Sequence, residues 1–334
     1  MEIEKTSLLR ALSSMFGVNV SDAIFSVELL QGGTVGEVSK LSGEALTQEG
    51  HRPFELVMKN QRQWDRHGDP DCWRREYDLY KNGLDRELFP SIKLPRCYLL
   101  EEGDGVTRIW MEYVVGATGS TRLHATELAL AAERLGELQA DFHLNGQRDL
   151  TYLRGYPAVR SSFDLWMRRM NELFADREDG FPNELRHILN DYAARATQSL
   201  SSLDDLPLTL CQGDVHHDNL ILKEGAAGPE VYLLDWDCAG YGRMGEDAVD
   251  ILMEAFLYSD RDLSLLPSFR CRIIEGYCQG VRSQGVDFAM SDRLVREIFA
   301  YAWGFRIAAH YLHHKDEGHK QRCLAILSAM LNDE

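Results

Sequence analysis

Long apolar runs are missing from this chain of 334 residues. No stretch reaches the roughly 18 apolar residues that a membrane-spanning helix needs. The most apolar late segment, Phe299 to Leu312, is broken by Arg306 and His310. The opening Met1-Glu2-Ile3-Glu4-Lys5 is acidic and lacks the apolar core of a secretion signal, so a cytoplasmic protein is expected. Cysteine pairing is missing as well. The seven cysteines, at 72, 97, 211, 238, 271, 278 and 323, form no Cys-x-x-Cys, which excludes a zinc ribbon or a thioredoxin-type centre. They read as buried, reduced thiols. Basic residues are few: 36 Lys and Arg against 53 Asp and Glu give a net charge of −17. That excludes nucleic acid as the main partner, because a phosphate backbone needs a basic face, and it suits a small, cationic molecule. Repeats and low-complexity segments are also absent. What is present is ordinary for a globular protein, 44% hydrophobic and 27% charged, in a chain long enough for two lobes with separate cores.

The first 115 or so residues read as mainly strand and the remainder as mainly helix. A helix is expected over Glu4 to Phe16. Strands are expected over Ile24 to Gln31 and Val35 to Leu41, with Gly32-Gly33-Thr34 turning between them. Phe54 to Lys59 alternates by twos, with Phe54, Leu56 and Met58 on one face and Val57 and Lys59 on the other. Asp71 to Gly83 reads as a helix with Pro70 before it. Strands near Arg96 to Glu101 and Thr107 to Val115 join through Gly103-Asp104-Gly105, and Gly116 to Ser120 reads as a hinge. Beyond it, Leu128, Leu135, Leu138 and Phe142 recur at helical spacing. So do Phe163, Met167, Met170 and Phe174, and Leu294, Ile298, Tyr301, Phe305, Ala308 and Leu312. These stripes are core.

The chemistry concentrates in Gln212-Gly213-Asp214-Val215-His216-His217-Asp218-Asn219. Asp214 and Asn219 are five positions apart, and the apolar run Val231 to Leu234 ends in Asp235. Phosphoryl transfer needs one carboxylate to orient and deprotonate a hydroxyl, then an Asn and an Asp to hold Mg²⁺ against phosphates. Lys59, opposite the core face of its strand, can neutralise phosphate charge, and Glu76, in the middle of the following helix, can pair with it. Gly213-Asp214-Val215-His216 also opens like a binuclear metallophosphoesterase motif. The chain after position 219 holds neither Gly-Asp-x-x-Asp nor Gly-Asn-His to complete one.

With these residues in order, the chain resembles the aminoglycoside phosphotransferase and choline kinase family, the small-molecule branch of the protein-kinase-like fold, from about Leu29 to Leu257. Gly32 to Gly36 resembles the nucleotide-positioning loop, with Gly33 within it. Leu135-Gly136 to His143 resembles the family's Leu-Gly…His helix, Asp235-Trp236-Asp237 its metal-binding segment, and Gly245 to Ile251 its Asp-Leu-Ala helix start. The resemblance implies a bilobal α+β fold, with an antiparallel-sheet N-lobe (1–115) and a mainly helical C-lobe (116–334). ATP would lie in a cleft with its adenine on Met111-Glu112-Tyr113-Val114 and under Val57. Lys59 and Glu76 would serve the phosphates, Asn219 and Asp235 would bind Mg²⁺, and Asp214 would be the base. The acceptor would be an aminoglycoside-like molecule, an amino alcohol or a sugar. Gln212 stands where the family usually has His, and Asp237 could bridge to a metal or support one by a hydrogen bond.

A protein kinase of the same fold and a nucleotide-binding protein without turnover are the alternatives. Only about ten residues separate Asp235 from the helix near Glu246, with no Ala-Pro-Glu, which leaves little platform for a peptide. The four key side chains speak for turnover. Arg74-Arg75 reads as exposed helix charge, as does Arg168-Arg169. His310 and His314 read as a solvated helix end, and His216 as either acceptor-lining or loop packing. Asp218, Glu246, Asp247 and Glu254 either face a cation or are solvated.

Overall fold

The computed structural model describes residues 3–30, 36–65, 69–87, 91–119, 121–145, 150–155, 180–216, 218–226 and 228–332. Gly33, His217, Arg168-Arg169 and the 163–174 stripe lie outside them. The fold is mixed α+β, an antiparallel-sheet N-terminal part and a helical C-terminal part. It divides into two compact units, Met1–Gly116 with Lys223–Asp237, and Ala117–Leu222 with Cys238–Glu334.

In the first unit, helix α1 (Lys5–Phe16) buries Leu8, Ala11 and Leu12, which its 3.6-residue period puts on one face. Gly17 stops it in the left-handed conformation, φ 69°. Five antiparallel strands follow in the spatial order β1-β2-β3-β6-β5: β1 (Val20–Leu29), β2 (Glu37–Thr47), β3 (Gly50–Arg62), β5 (Cys97–Gly103) and β6 (Val106–Glu112). Strands β2 and β3 run several residues past their expected ends, while β1 begins earlier and ends at Leu29 rather than Gln31, and β6 stops at Glu112 rather than Val115. The β2–β3 ladder pairs without a break from Glu37 with Asn60 to Thr47 with Gly50, and cross-strand pairing holds polar residues that a hydrophobic pattern does not mark. Phe54, Leu56 and Met58 bury into the core with Leu41, Ala45 and Trp110, as the alternation predicts. Helix α2 (Cys72–Lys81) crosses on β3, β5 and β6, a short α3 (Leu84–Glu87) follows, and β4 (Ile92–Lys93) pairs in parallel with Val231 and Tyr232 of β10 (Gly228–Leu233).

In the second unit, β7 (Ala117–Thr118) pairs with Ile221 and Leu222 of β9 (Leu220–Gly225). Helix α4 (Ala125–Asn145) lies against α7 (Leu266–Ser283). Between them are α5 (Asn183–Asp204), β8 (Leu208–Cys211), β11 (Gly240–Arg243) and α6 (Glu246–Leu257). Strands β8 and β11 pair antiparallel, Leu208 with Arg243 through Cys211 with Gly240. The chain closes with α8 (Asp292–Phe299), a π-helical turn at Ala300–Gly304, α9 (Phe305–His313) and α10 (Glu317–Leu331). Ile298, Tyr301, Phe305 and Ala308 are core, as their spacing predicts, while Leu294 and Leu312 at the ends of that stripe are half-buried.

The α4–α7 contact is set by glycine. A Cβ on Gly280 would lie 1.9 Å from the Glu133 carbonyl oxygen, and one on Gly276 would lie 2.4 Å from that of Ala129. From the other helix, a Cβ on Gly136 would lie 2.3 Å from the Tyr277 carbonyl oxygen. No side chain fits at these points, so the two backbones approach as closely as helices do.

None of the seven cysteines forms a disulfide. Five are buried, as expected, but Cys271 is exposed and Cys97 is half-buried. Among the described residues no helix is long and apolar enough to cross a membrane.

Candidate active site

In the first unit, alternation on β3 sends Lys59 to the face away from the Phe54–Met58 core, yet its side chain is buried, 6% exposed. Its ammonium donates to Glu76 Oε2 of α2 at 2.5 Å and to Asp235 Oδ1 at 2.6 Å. Burial works against its charge, but the carboxylates of Asp235, Glu76 and Asp237 outweigh burial and hold its pKa above the ordinary lysine range. Three sequence-predicted residues separated by up to 176 positions therefore meet at one nitrogen. Asp235 follows β10 with φ 55°, the only non-glycine among the described residues in the left-handed region. Such a backbone costs about 1–2 kcal/mol and turns the carboxylate out of line with the strand.

Arg75 is a correction. Read as an exposed helix charge, it is 2% exposed. It makes a two-pronged contact with Asp69, 3.0 and 2.6 Å, and donates to the Asp237 carbonyl oxygen. Arg74, beside it, pairs with Asp78 at 2.8 Å and Glu102 at 3.1 Å. The guanidinium of Arg75 ties α2, which carries Glu76, to the segment that carries Asp235; only the fold provides these partners, so helical charge patterning could not reveal it.

Val57 and Met111 are register partners on β3 and β6; Met111 and Val114 are buried and Val57 is half-buried. The Glu112 carboxylate accepts from Lys223 at 3.0 Å, while its backbone N–H donates to the Arg96 carbonyl at 2.9 Å.

In the second unit, the 212–219 loop leaves β8 and folds on itself. Asn219 Nδ2 donates to the Asp214 carbonyl at 2.9 Å, and the His216 N–H donates to the same oxygen at 2.6 Å. Gln212 Oε1 accepts from the Asp214 N–H at 2.7 Å, so the residue that replaces the usual His does brace the loop. Gly213 sits at φ 78°. A Cβ there would lie 2.9 Å from the Cys238 carbonyl, so the turn admits only glycine.

The loop also has an anchor in Asp247, which the sequence places in the segment that resembles the family's Asp-Leu-Ala helix start, as a residue either facing a cation or solvated; it is instead buried and spent on the loop. Asp247, near the start of α6, accepts the N–H of Gln212 at 2.8 Å and of Gly213 at 3.1 Å, and the side-chain amide of Gln139 at 3.0 Å. Gln139 Nε2 also reaches the Leu210 carbonyl at 3.1 Å. Burial pushes the Asp247 carboxyl up to about 6, against the pull of the two backbone donors. Two signals pointed there: the Gly245–Ile251 segment that holds Asp247, and Gln139, a polar residue inside an apolar helical stripe. Of the other acidic residues, Glu254 is buried, with His216 Nε2 at 3.9 Å from its Oε2, and Asp218 is exposed. His310 is half-buried, its Nε2 3.2 Å from the Tyr258 hydroxyl, rather than solvated. The rings of His314 and His319 lie 4.2 Å apart. Among the described residues no group of three or more His, Cys, Asp or Glu could hold a metal by itself.

The profile of the APH phosphotransferase enzyme family matches residues 50–285. The chain belongs to that family, which sets aside the metallophosphoesterase alternative. No curated protein matches it by sequence. Among solved structures it is similar to spectinomycin phosphotransferase in complex with ADP and spectinomycin (TM-score 0.52, 14% identity, 100% of this chain and 96% of that one). It is also similar to a microcompartment-associated aminopropanol kinase (0.57, 14%, 95% and 94%) and to choline kinase from Cryptosporidium parvum Iowa II (0.56, 13%, 91% and 88%). At these identities the likeness establishes the kinase-like fold.

Proposed function

We propose that this phosphotransferase moves the γ-phosphoryl group of ATP to a hydroxyl of a small, cationic molecule. The observation that carries the reading is the Lys59 ammonium held between Glu76 and Asp235. A buried lysine fixed by two carboxylates is a preset counter-charge for phosphate oxygens, and Arg75 keeps its helix in register. The nucleotide base would rest against Val57, Met111 and Val114, with the backbone of the 111–114 segment offering its hydrogen bonds, other than the Glu112 N–H, which Arg96 takes. Asp235 and Asn219 are hard oxygen donors, suited to Mg²⁺, which binds through one or two protein oxygens and completes its shell with phosphates and water. Mg²⁺, when bound, spreads the phosphate charge. Lys59 would hold the phosphates, while Asp214 would orient the acceptor hydroxyl and take its proton as the bond to phosphorus forms.

The ADP complex of spectinomycin phosphotransferase supports a nucleotide donor, and the aminopropanol and choline kinases support small amine-bearing acceptors. The net charge of −17 and buried Glu254 beside the loop favour a cation. The absence of any disulfide among the seven cysteines supports a reducing, cytoplasmic setting.

The test is Mg²⁺-dependent ATP consumption over a panel of hydroxylated amines, in wild type, Lys59→Ala and Asp235→Asn. Acceptor-dependent turnover that both substitutions abolish in protein that is still folded is the expected result. Turnover unaffected by Lys59→Ala sinks the reading.

A further inference from the structure

In the first unit, the face of β3 that carries Val57 and Lys59 carries a further polar side chain, which the proposed chemistry does not use. The β3–β6 ladder runs unbroken from Leu56 to Arg62, so alternation sends Gln61 to that face, about 7 Å beyond Lys59 along the strand. Its register partner on β6 is Thr107, whose hydroxyl donates to the Trp73 carbonyl of α2 at 3.4 Å. On its other side is Gly36, the last residue of the segment that resembles the nucleotide-positioning loop. A Cβ on Gly36 would lie 3.1 Å from Gln61 Cγ and 3.8 Å from its Nε2. Any side chain at Gly36 would press on the glutamine stem. The amide therefore sits between Gly36 and the strand that faces α2, the helix carrying Glu76.

Gln61 is 6% exposed, and its Oε1 has no hydrogen-bond partner among the described residues. A buried acceptor left unmatched lowers stability. Methionine, unbranched and of similar reach, would fill the same place without an orphaned oxygen, so packing does not account for a glutamine here. What the amide adds is its two N–H donors. Donors are what phosphate oxygens take, and this face already holds the counter-charge for phosphate in Lys59. Asn60 gives the contrast. Its Oδ1 also lacks a partner among the described residues, but alternation turns it to the side of Phe54, Leu56 and Met58, away from Lys59.

We propose that Gln61 is a phosphate-binding residue, whose side-chain amide donates to a phosphate oxygen of the nucleotide beside Lys59. A neutral donor adds a directed hydrogen bond without adding charge. It fixes the direction of the phosphate, while the lysine supplies the counter-charge. The inference rests on the phosphotransferase reading and extends its nucleotide site by one residue.

The test is isothermal titration of the full-length protein with MgATP and with adenosine, beside thermal melting without nucleotide, in wild type, Gln61→Met and Gln61→Leu. MgATP affinity should fall on the order of tenfold in both variants, the loss of one hydrogen bond to a charged group. Adenosine, which has no phosphate, should bind as in wild type, and the nucleotide-free variants should melt no lower. Unchanged MgATP affinity in either folded variant overturns the proposal. So does an equal loss for adenosine, which marks a distorted sheet rather than a lost phosphate contact. A lower melting temperature or a failure to fold in both variants shows that the fold needs the amide, and overturns it too. A wild type that binds no MgATP overturns the phosphotransferase reading and this inference with it, whereas MgATP binding that needs Lys59 but not Gln61 overturns this inference alone.

Discussion

The Tyr277 hydroxyl donates to Gln139 Oε1 at 2.5 Å and accepts the Gly245 N–H at 2.9 Å, which ties α7 to α4 and to the start of α6. Gln139 passes the tie to Asp247, and Asp247 holds the backbone of Gln212 and Gly213. The position of Asp214, one residue further, is thereby referred to three helices rather than to its own loop. The close packing of Gly136, Gly276 and Gly280 allows this, because Gln139 and Tyr277 meet only where the helices touch. Catalysis by positioning requires such rigidity.

Asp247→Ala should cost most of the turnover although it touches no substrate. Each N–H left unpaired costs about 1–3 kcal/mol, so the melting temperature should fall as well. Asp247→Asn, which keeps one acceptor oxygen, should fall between the two. The measurement is kcat beside thermal melting; an Asp247→Ala enzyme with wild-type kcat would remove the loop-anchoring role.

Asp214→Asn should lower kcat by roughly 10²–10⁴-fold and leave MgATP affinity nearly unchanged, since its work is on the acceptor. Isothermal titration with MgATP and initial rates separate the two effects. A large loss of nucleotide binding would move Asp214 to the metal.

Gly280→Ala should destabilise the second unit by about 1–3 kcal/mol or more through overpacking, because the added carbon would sit 1.9 Å from the Glu133 carbonyl oxygen. The helices must part, and Gln139 and Tyr277 part with them, so kcat should fall at temperatures where the protein is still folded. Denaturant unfolding and rates at low temperature test both halves.

His310 gives stability a pH dependence. Burial, then Arg306, lowers its pKa from 6.5 to about 4. The unfolded chain therefore binds a proton between these values while the folded chain does not, and stability falls as pH drops from about 6.5 toward 4. Above 6.5 the contribution is fully present. Melting temperatures of wild type and His310→Gln should converge in that window on acidification; parallel curves would show that His310 is not held neutral.

Much of the proposed site was legible in the sequence because its residues sit in contiguous patterns. The Asp214–Asn219 spacing, the strand ending in Asp235, and the two-residue period that sets Lys59 opposite Phe54, Leu56 and Met58 are all local, and backbone geometry alone converts them into faces and turns. The helical stripes at 128–138 and 298–308 were legible for the same reason. Only the tertiary structure decided the fate of Arg75, which joins Asp69 and the Asp237 carbonyl in the interior, and of Asp247, whose partners lie 34, 35 and 108 positions away. Only the tertiary structure brought Glu76 and Asp235 to the Lys59 ammonium. A charged side chain has no period of its own: it is exposed unless a distant group meets it, and whether one does depends on how the elements pack.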